Sequence, residues 1–344
     1  MMRALVCTAF GEHGSGERGS YSPASLAVSD VETPVPQAGE VLVQVHAASA
    51  NFPDLLMLDN LYQHRPALPF IPGYEFSGVV EKIGPGVTGI EPGDAGVAIT
   101  RSGGFAESAV VAADRFWKLP AGMDMRHAAA FPLAYGTSYH ALKDRAQLAR
   151  GDILLVLGAA GGVGIAGVQL GKMLGATVIA CASSDDKLKR CTECGADYTI
   201  NYEKDDLRSA IKAIVGERGV DVVLDPVGGR YTEAAFRSLG WNGRHLVVGF
   251  TAGEIPRLPL NLPLLKGASV IGVSWDTYSR KFPEGGARNI RELAEAIAGG
   301  KLLPAIASEY PLEKAKEALE DVRERRVIGK ALVICRSDMK LLPQ

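Results

Sequence analysis

Cysteine is scarce in this chain of 344 residues and is not grouped as metal or disulfide chemistry would require. The five are Cys7, Cys181, Cys191, Cys194 and Cys335, with none between the first two. An odd number scattered over a long chain does not resemble a disulfide framework, so reduced thiols are the reading. Cys191-Thr192-Glu193-Cys194 is a Cys-x-x-Cys without a partner pair, and it falls on a predicted helix as buried or incidental thiols. The six histidines, His13, His46, His64, His127, His140 and His245, are equally dispersed. None adjoins a Ser or Cys in a nucleophile motif, which leaves hydrolase chemistry unsupported.

An excess of either charge is missing too: Lys and Arg number 37 against 39 Asp and Glu. With no basic run or basic and aromatic stripe to follow a phosphate backbone, nucleic acid is not the expected partner. Long apolar runs are absent, since stretches such as Ile153 to Leu157 are soon broken by Gly, Lys or Asp, so no membrane span is expected. Met1 to Phe10 lacks the basic, apolar and small-residue succession of a signal peptide, and a cytoplasmic protein is expected.

What is present is ordinary globular composition, 47% hydrophobic and 22% charged, with length for two domains. Residues 1–130 hold short β-like runs such as Val41 to Val45 and Gly78 to Ile83, punctuated by turns such as Gly84-Pro85-Gly86. Gly11 to Ser25 reads as an exposed hairpin loop. Over 131–275, strands alternate with helices: Ile153 to Leu157, helix Ile165 to Leu174, Thr177 to Cys181, helix Lys187 to Cys194, then strands Val220 to Asp225, His245 to Gly249 and Val270 to Val273. That alternation predicts a doubly wound parallel sheet of dinucleotide-binding type. Residues 276–344 supply helices over Arg288 to Ala298 and Lys314 to Arg325, the second opened by Pro311 and Leu312, and a final strand, Lys330 to Ile334. The tail is short for a third domain and is assigned back to the first, so the cofactor domain interrupts a discontinuous catalytic domain.

The most specific local feature is Gly158-Ala159-Ala160-Gly161-Gly162-Val163-Gly164, a small-residue turn between a buried strand and a helix. Gly161 lets backbone approach a diphosphate, Gly164 lets the helix pack close to the strand, and the helix N-terminus offers N–H groups to phosphates. Ala159 stands where the first fingerprint glycine usually sits. The next strand ends in Ala182-Ser183-Ser184 rather than in the Asp or Glu that accepts hydrogen bonds from an adenosine 2′-hydroxyl. Ser183 can donate to a 2′-phosphate, Lys187 can add positive charge and Tyr202 its hydroxyl, so NADPH is expected over NADH. Asp185 and Asp186 could take the ribose role only if the strand ran longer; their alternative is to open the next helix, where acidic residues suit the dipole.

Gly73-Tyr74-Glu75-Phe76-Ser77-Gly78, Pro92-Gly93-Asp94, Gly103-Gly104-Phe105-Ala106-Glu107, the glycine turn and Gly272-Val273-Ser274-Trp275 together resemble the medium-chain dehydrogenase/reductase superfamily over essentially the whole chain. The resemblance implies a GroES-like, mostly β catalytic domain joined to a Rossmann doubly wound domain. Zinc members carry His where this chain has Tyr74, a Cys near the position of Asn51, and four closely spaced cysteines that are missing here. Converging Cys, His or carboxylate ligands are not supplied, and no metal is expected. Asn51-Phe52-Pro53-Asp54, Ser183 with Lys187, and Tyr202 look like the zinc-free quinone oxidoreductase branch, whose members are commonly homodimers or homotetramers that bind NADPH between domains.

That resemblance implies Asn51 near the nicotinamide or the substrate carbonyl, Tyr62 at the substrate entrance, Tyr135 and Thr137 lining the nicotinamide pocket, and Phe250 and Ser274 closing over it. Ala160, Gly161, Gly162, Val163 and Gly164 would hold the cofactor with Ser183, Lys187 and Tyr202. Asn51 can equally bridge backbone in a turn, and the tyrosines can be core aromatics with satisfied hydroxyls. Without a Lewis acid the acceptor must already be electron-poor, which suits a quinone or an activated enone. Two rivals remain: a 2-enoyl-thioester reductase, with Tyr62 or Tyr135 as proton donor, and a low-turnover NADPH-binding regulatory protein.

Overall fold

The computed structural model describes residues 1–11 and 25–336. It divides into two compact units, one formed by Met1–Leu133 with Ile290–Gln344 and the other by Ala134–Asn289. The expected hairpin loop falls almost wholly on residues 12–24, outside the described residues.

In the first unit a seven-stranded sheet runs in the order Ile306–Pro311, Lys330–Ile334, Glu40–Ala50, Glu75–Ile83, Ala95–Ile99, Phe116–Lys118, and Ser108–Ala112 joins it at Glu40–Ala50. The long strand Glu40–Ala50 organises this unit. Its first half pairs with Ser108–Ala112 and its second half with Lys330–Ile334, both antiparallel. Val41, Leu42, Val43, Val45, Ala47 and Ala48 are all buried, and only Gln44 and His46 interrupt the apolar run. Ala331 lies opposite Ala50, so the C-terminal strand brings Lys330 level with Asn51. Strand pairing therefore returns the tail to the first unit.

The second unit is a six-stranded parallel sheet in the order Tyr198–Asn201, Thr177–Ala182, Ile153–Leu157, Val220–Asp225, Leu239–Val247, Ser269–Gly272. Strand order reverses between Ile153–Leu157 and Val220–Asp225, the switch point at which open α/β sheets bind ligands beyond their carboxyl ends. Leu155, Leu157, Ile179, Val223, Ile211 and Phe236 form its buried core. Truncating Phe236 to Ala there would cost about 3–5 kcal/mol. The fold class expected from the sequence, a mostly β unit and a doubly wound sheet, is the one observed.

Two expectations are corrected, and two strands are added. The stretch 276–289 belongs to the second unit, because Tyr278 stacks on His140 with centroids 4.1 Å apart and Asn289 Nδ2 donates to Asp144 at 2.7 Å. The strand expected at His245 to Gly249 spans Leu239–Val247. Short strands at Tyr198–Asn201 and Ile306–Pro311 were unforeseen, each only half apolar and each at a sheet edge.

Candidate functional site

Strand Ile153–Leu157 leads into the glycine turn, and helix Gly162–Met173 follows with Gly161 at its N-cap. Gly158 takes φ +57°, a left-handed conformation that makes the sharp exit from the strand. A Cβ on Gly164 would lie 2.2 Å from the Gly158 carbonyl oxygen and 2.6 Å from the Ala159 Cα, so only glycine allows this close approach. At Gly161, by contrast, a Cβ would meet nothing nearer than the Gly158 oxygen at 3.5 Å. Gly161 gives the helix no capping side chain, which leaves its first-turn N–H groups to serve a ligand. Ala160 is buried, Gly162 and Val163 are partly exposed, and Gly161 is exposed.

The neighbouring parallel strand, Thr177–Ala182, ends beside this turn, and Ala159 N–H donates to the Cys181 carbonyl at 2.9 Å. Beyond it Ser183 Oγ accepts a hydrogen bond from Lys187 Nζ at 3.2 Å. Tyr202 follows the next strand, and its N–H donates to the Ala182 carbonyl at 3.2 Å. Ser183, Lys187 and Tyr202 therefore come together at one carboxyl edge with the glycine turn. Asp185 and Asp186 open helix Asp185–Glu193, capped by Ser184. Asp185 is engaged by Lys204 Nζ at 2.6 Å and Asn201 Nδ2 at 2.7 Å. The Lys204 hydrogen bond, then that of Asn201, holds its carboxyl below the usual range.

Asp225, at the switch point, escaped sequence reasoning. Its carboxylate accepts from Val227 N–H at 2.9 Å, Gly228 N–H at 2.8 Å, Thr232 Oγ1 at 2.7 Å and His245 Nε2 at 3.1 Å. Burial works to raise its pKa, yet the bonds from His245, Gly228 and Thr232 hold it below the usual carboxylate range. It thereby fixes the loop after Val220–Asp225. Phe250, after the next strand, lies against Gly228, where an added Cβ would come within 2.8 Å of its ring. Ser274 is exposed and its hydroxyl donates to Thr277 Oγ1 at 2.8 Å.

Thr137 is buried on helix Ala134–Tyr139. Tyr135, on the same helix, is fully buried and its hydroxyl donates to Gln169 Oε1 at 2.7 Å. The Tyr135 ring is thus part of the core, and its hydroxyl is bonded inside the unit.

In the first unit Asn51 precedes helix Phe52–Leu58, whose Asp54 carboxylate accepts from Asn51 N–H at 2.9 Å and Gly73 N–H at 3.2 Å. Burial pushes the Asp54 carboxyl up to about 7, against these hydrogen bonds and the Lys330 charge. Asn51 Nδ2 donates to the Ser49 carbonyl at 3.0 Å and to Glu75 Oε1 at 3.0 Å, while its Oδ1 accepts from Lys330 Nζ. Lys330 also pairs with Glu75 at 3.1 Å, and Leu133 N–H donates to Glu75 Oε2 at 2.6 Å. Both amide hydrogens of Asn51 are thus committed to protein, one of them to backbone. In the sequence Lys330 shows only as the start of a strand. Tyr62 is partly exposed, with its hydroxyl 3.4 Å from that of the buried Tyr74 and the rings edge to face.

This donor set does not fit a zinc ion. Asn51 and Tyr74 replace the Cys and His of zinc members, and the Lys330 ammonium already lies against Glu75. Among the described residues no group of three or more His, Cys, Asp or Glu side chains converges as a metal site would. All five cysteines are free, and burial pushes the Cys191 thiol up to about 12. No helix among the described residues is long and apolar enough to cross a membrane.

Residues 37–121 match the family model of the alcohol dehydrogenase GroES-like domain, and residues 162–291 match that of zinc-binding dehydrogenases. The chain is 37% identical to quinone oxidoreductase-like protein 2 of Bos taurus over 90% of its own length and 88% of that protein's. It is 35% identical to the quinone oxidoreductase of Rattus norvegicus, over 86% and 88%. Among solved structures, Escherichia coli quinone oxidoreductase complexed with NADPH superimposes with a TM-score of 0.86 at 30% identity, covering 96% of this chain and 99% of that one.

Proposed function

The chain belongs to the medium-chain dehydrogenase/reductase superfamily, in its quinone oxidoreductase branch, and on that premise we propose that it is an NADPH-dependent reductase of quinones or activated enones. The observation that carries the cofactor half is the Ser183–Lys187 pair beside Tyr202, at a strand end free of carboxylate. NADPH, when bound, is the source of the transferred hydride. The glycine turn and the helix behind it hold its diphosphate, and Ser183, Lys187 and Tyr202 hold its 2′-phosphate. Thr137, Phe250 and Ser274 belong, on this reading, to the nicotinamide end.

The acceptor half rests on the first unit. Asn51 and Tyr74 cannot polarise a carbonyl as a metal would, so the acceptor must stabilise its own negative charge, as quinones and enones do. Tyr62, partly exposed and hydrogen-bonded to Tyr74, donates the proton that the resulting oxyanion takes up. Asn51, Glu75 and Lys330 hold the turn that carries helix Phe52–Leu58 and leave the chemistry to others.

A second copy of the chain is the proposed partner. Strand Ser269–Gly272 ends the parallel sheet, and Trp241, Leu260, Leu264, Leu265 and Val270 around it are each half or more exposed. An apolar patch beside an open sheet edge is what a self-complementary two-fold contact covers. The free thiols suit a reducing, cytoplasmic compartment.

The test is NADPH consumption by purified protein with 9,10-phenanthrenequinone, a small benzoquinone and crotonyl-coenzyme A. Turnover of the quinones is expected. Turnover of the thioester alone would move the assignment to enoyl reductase, and bound NADPH without turnover of any acceptor would make the regulatory role the better account.

A further inference from the structure

The carboxylate of Glu203 follows directly on Tyr202, the residue assigned above to the 2′-phosphate, and an anion there opposes a phosphate by simple repulsion. The structure does not leave that charge bare. Arg230 donates to Glu203 Oε2 at 2.8 Å, and the Tyr231 hydroxyl donates to Glu203 Oε1 at 2.5 Å. Arg230 also donates to the Tyr231 hydroxyl at 2.6 Å and lies over its ring, 4.8 Å from the centroid. The Tyr231 ring in turn packs on Tyr202, with centroids 4.3 Å apart and planes inclined by 37°. The Tyr202 and Glu203 turn is itself tied to the strand that ends at Ser183, through Tyr202 N–H on the Ala182 carbonyl. Four side chains, two from the turn after strand Tyr198–Asn201 and two from the start of helix Tyr231–Arg237, therefore form one cluster against the phosphate-binding edge.

We propose that Arg230 is a specificity-determining residue for the nucleotide: with Tyr231 it neutralises Glu203 and holds Tyr202, and so permits NADPH where an uncovered Glu203 would favour NADH. The role rests on the assignment of the 2′-phosphate to Ser183, Lys187 and Tyr202. It has a distinct chemical signature, because a carboxylate repels a doubly charged phosphate ester and is indifferent or favourable to a ribose hydroxyl.

Dissociation constants for NADPH and NADH, from nucleotide fluorescence with the full-length protein, test it. Arg230 is two-thirds exposed, so its removal spares the fold. Arg230→Ala should weaken NADPH about tenfold and leave NADH within about twofold, an effect that shrinks as salt is raised. Adding Glu203→Gln to Arg230→Ala should restore most of the NADPH affinity, since the repelling charge is gone. Competition by 2′,5′-ADP should follow NADPH, and competition by 5′-AMP should not. Equal weakening of both nucleotides, no change in either, or failure of the double variant to recover would overturn the role while the wild-type preference for NADPH stood. A wild-type chain that binds NADH as tightly as NADPH would overturn the phosphate assignment itself and this role with it.

Discussion

Replacing Lys330 by Met should be among the most damaging single changes in the first unit, although it lies far in sequence from the residues it serves. Lys330 and Glu75 are both buried, with their charged atoms 3.1 Å apart. Removing the ammonium leaves a carboxylate whose remaining partners are Leu133 N–H at 2.6 Å and Asn51 Nδ2 at 3.0 Å, and frees the Oδ1 of Asn51. Breaking a buried pair in this way costs about 3–5 kcal/mol, because one charge stays in low dielectric without its counterion. For a unit of about 190 residues, each kcal/mol lowers the melting midpoint by roughly 2–4 °C, which sums to about 6–20 °C. Differential scanning calorimetry of the purified chain would show the first unit's transition moving down by that amount. Glu75→Gln combined with Lys330→Met removes both charges and should recover more than half of the loss. A single-variant loss below about 1 kcal/mol, or a double variant no better than the single one, would refute the reasoning that the pair is desolvated and mutually dependent.

Lys187→Ala removes the cation beside Ser183 and should weaken NADPH about tenfold with little effect on NADH, measured by fluorescence titration. The Asp54 carboxyl, pushed up to about 7 by burial, holds a proton in the folded state that the unfolded chain releases near pH 4. Its contribution to stability therefore falls as pH rises from about 4 to about 7, and melting curves across that window should show a slope that Asp54→Asn flattens. Leu264→Lys, on the exposed helix Asn261–Lys266 that precedes the edge strand, should convert the proposed oligomer to monomer in analytical ultracentrifugation without loss of NADPH binding.

The glycine turn was legible because everything it needs is local: strand, small residues and helix lie within a dozen positions, and Gly158 and Gly164 are glycine for reasons of conformation and close contact. The Ser183–Lys187 pair is local in the same sense, one helical turn apart. Lys330 could not be read, since its partners Asn51 and Glu75 are 279 and 255 positions away and only the antiparallel register of Lys330–Ile334 on Glu40–Ala50 brings them level. In the sequence Asp225 ends one strand and His245 begins another with nothing to connect them; the parallel pairing of their strands makes them a pair. The bond from the Tyr135 hydroxyl to Gln169, 34 positions on, could not be read either, since it depends on how two helices pack.

Initial rates with 9,10-phenanthrenequinone, taken in parallel with NADPH and NADH and in the presence of a zinc chelator, test the central claim most directly. The account predicts turnover that the chelator leaves unchanged and a kcat/KM at least about tenfold higher with NADPH. Turnover abolished by the chelator, or equal kcat/KM for the two nucleotides, would contradict it.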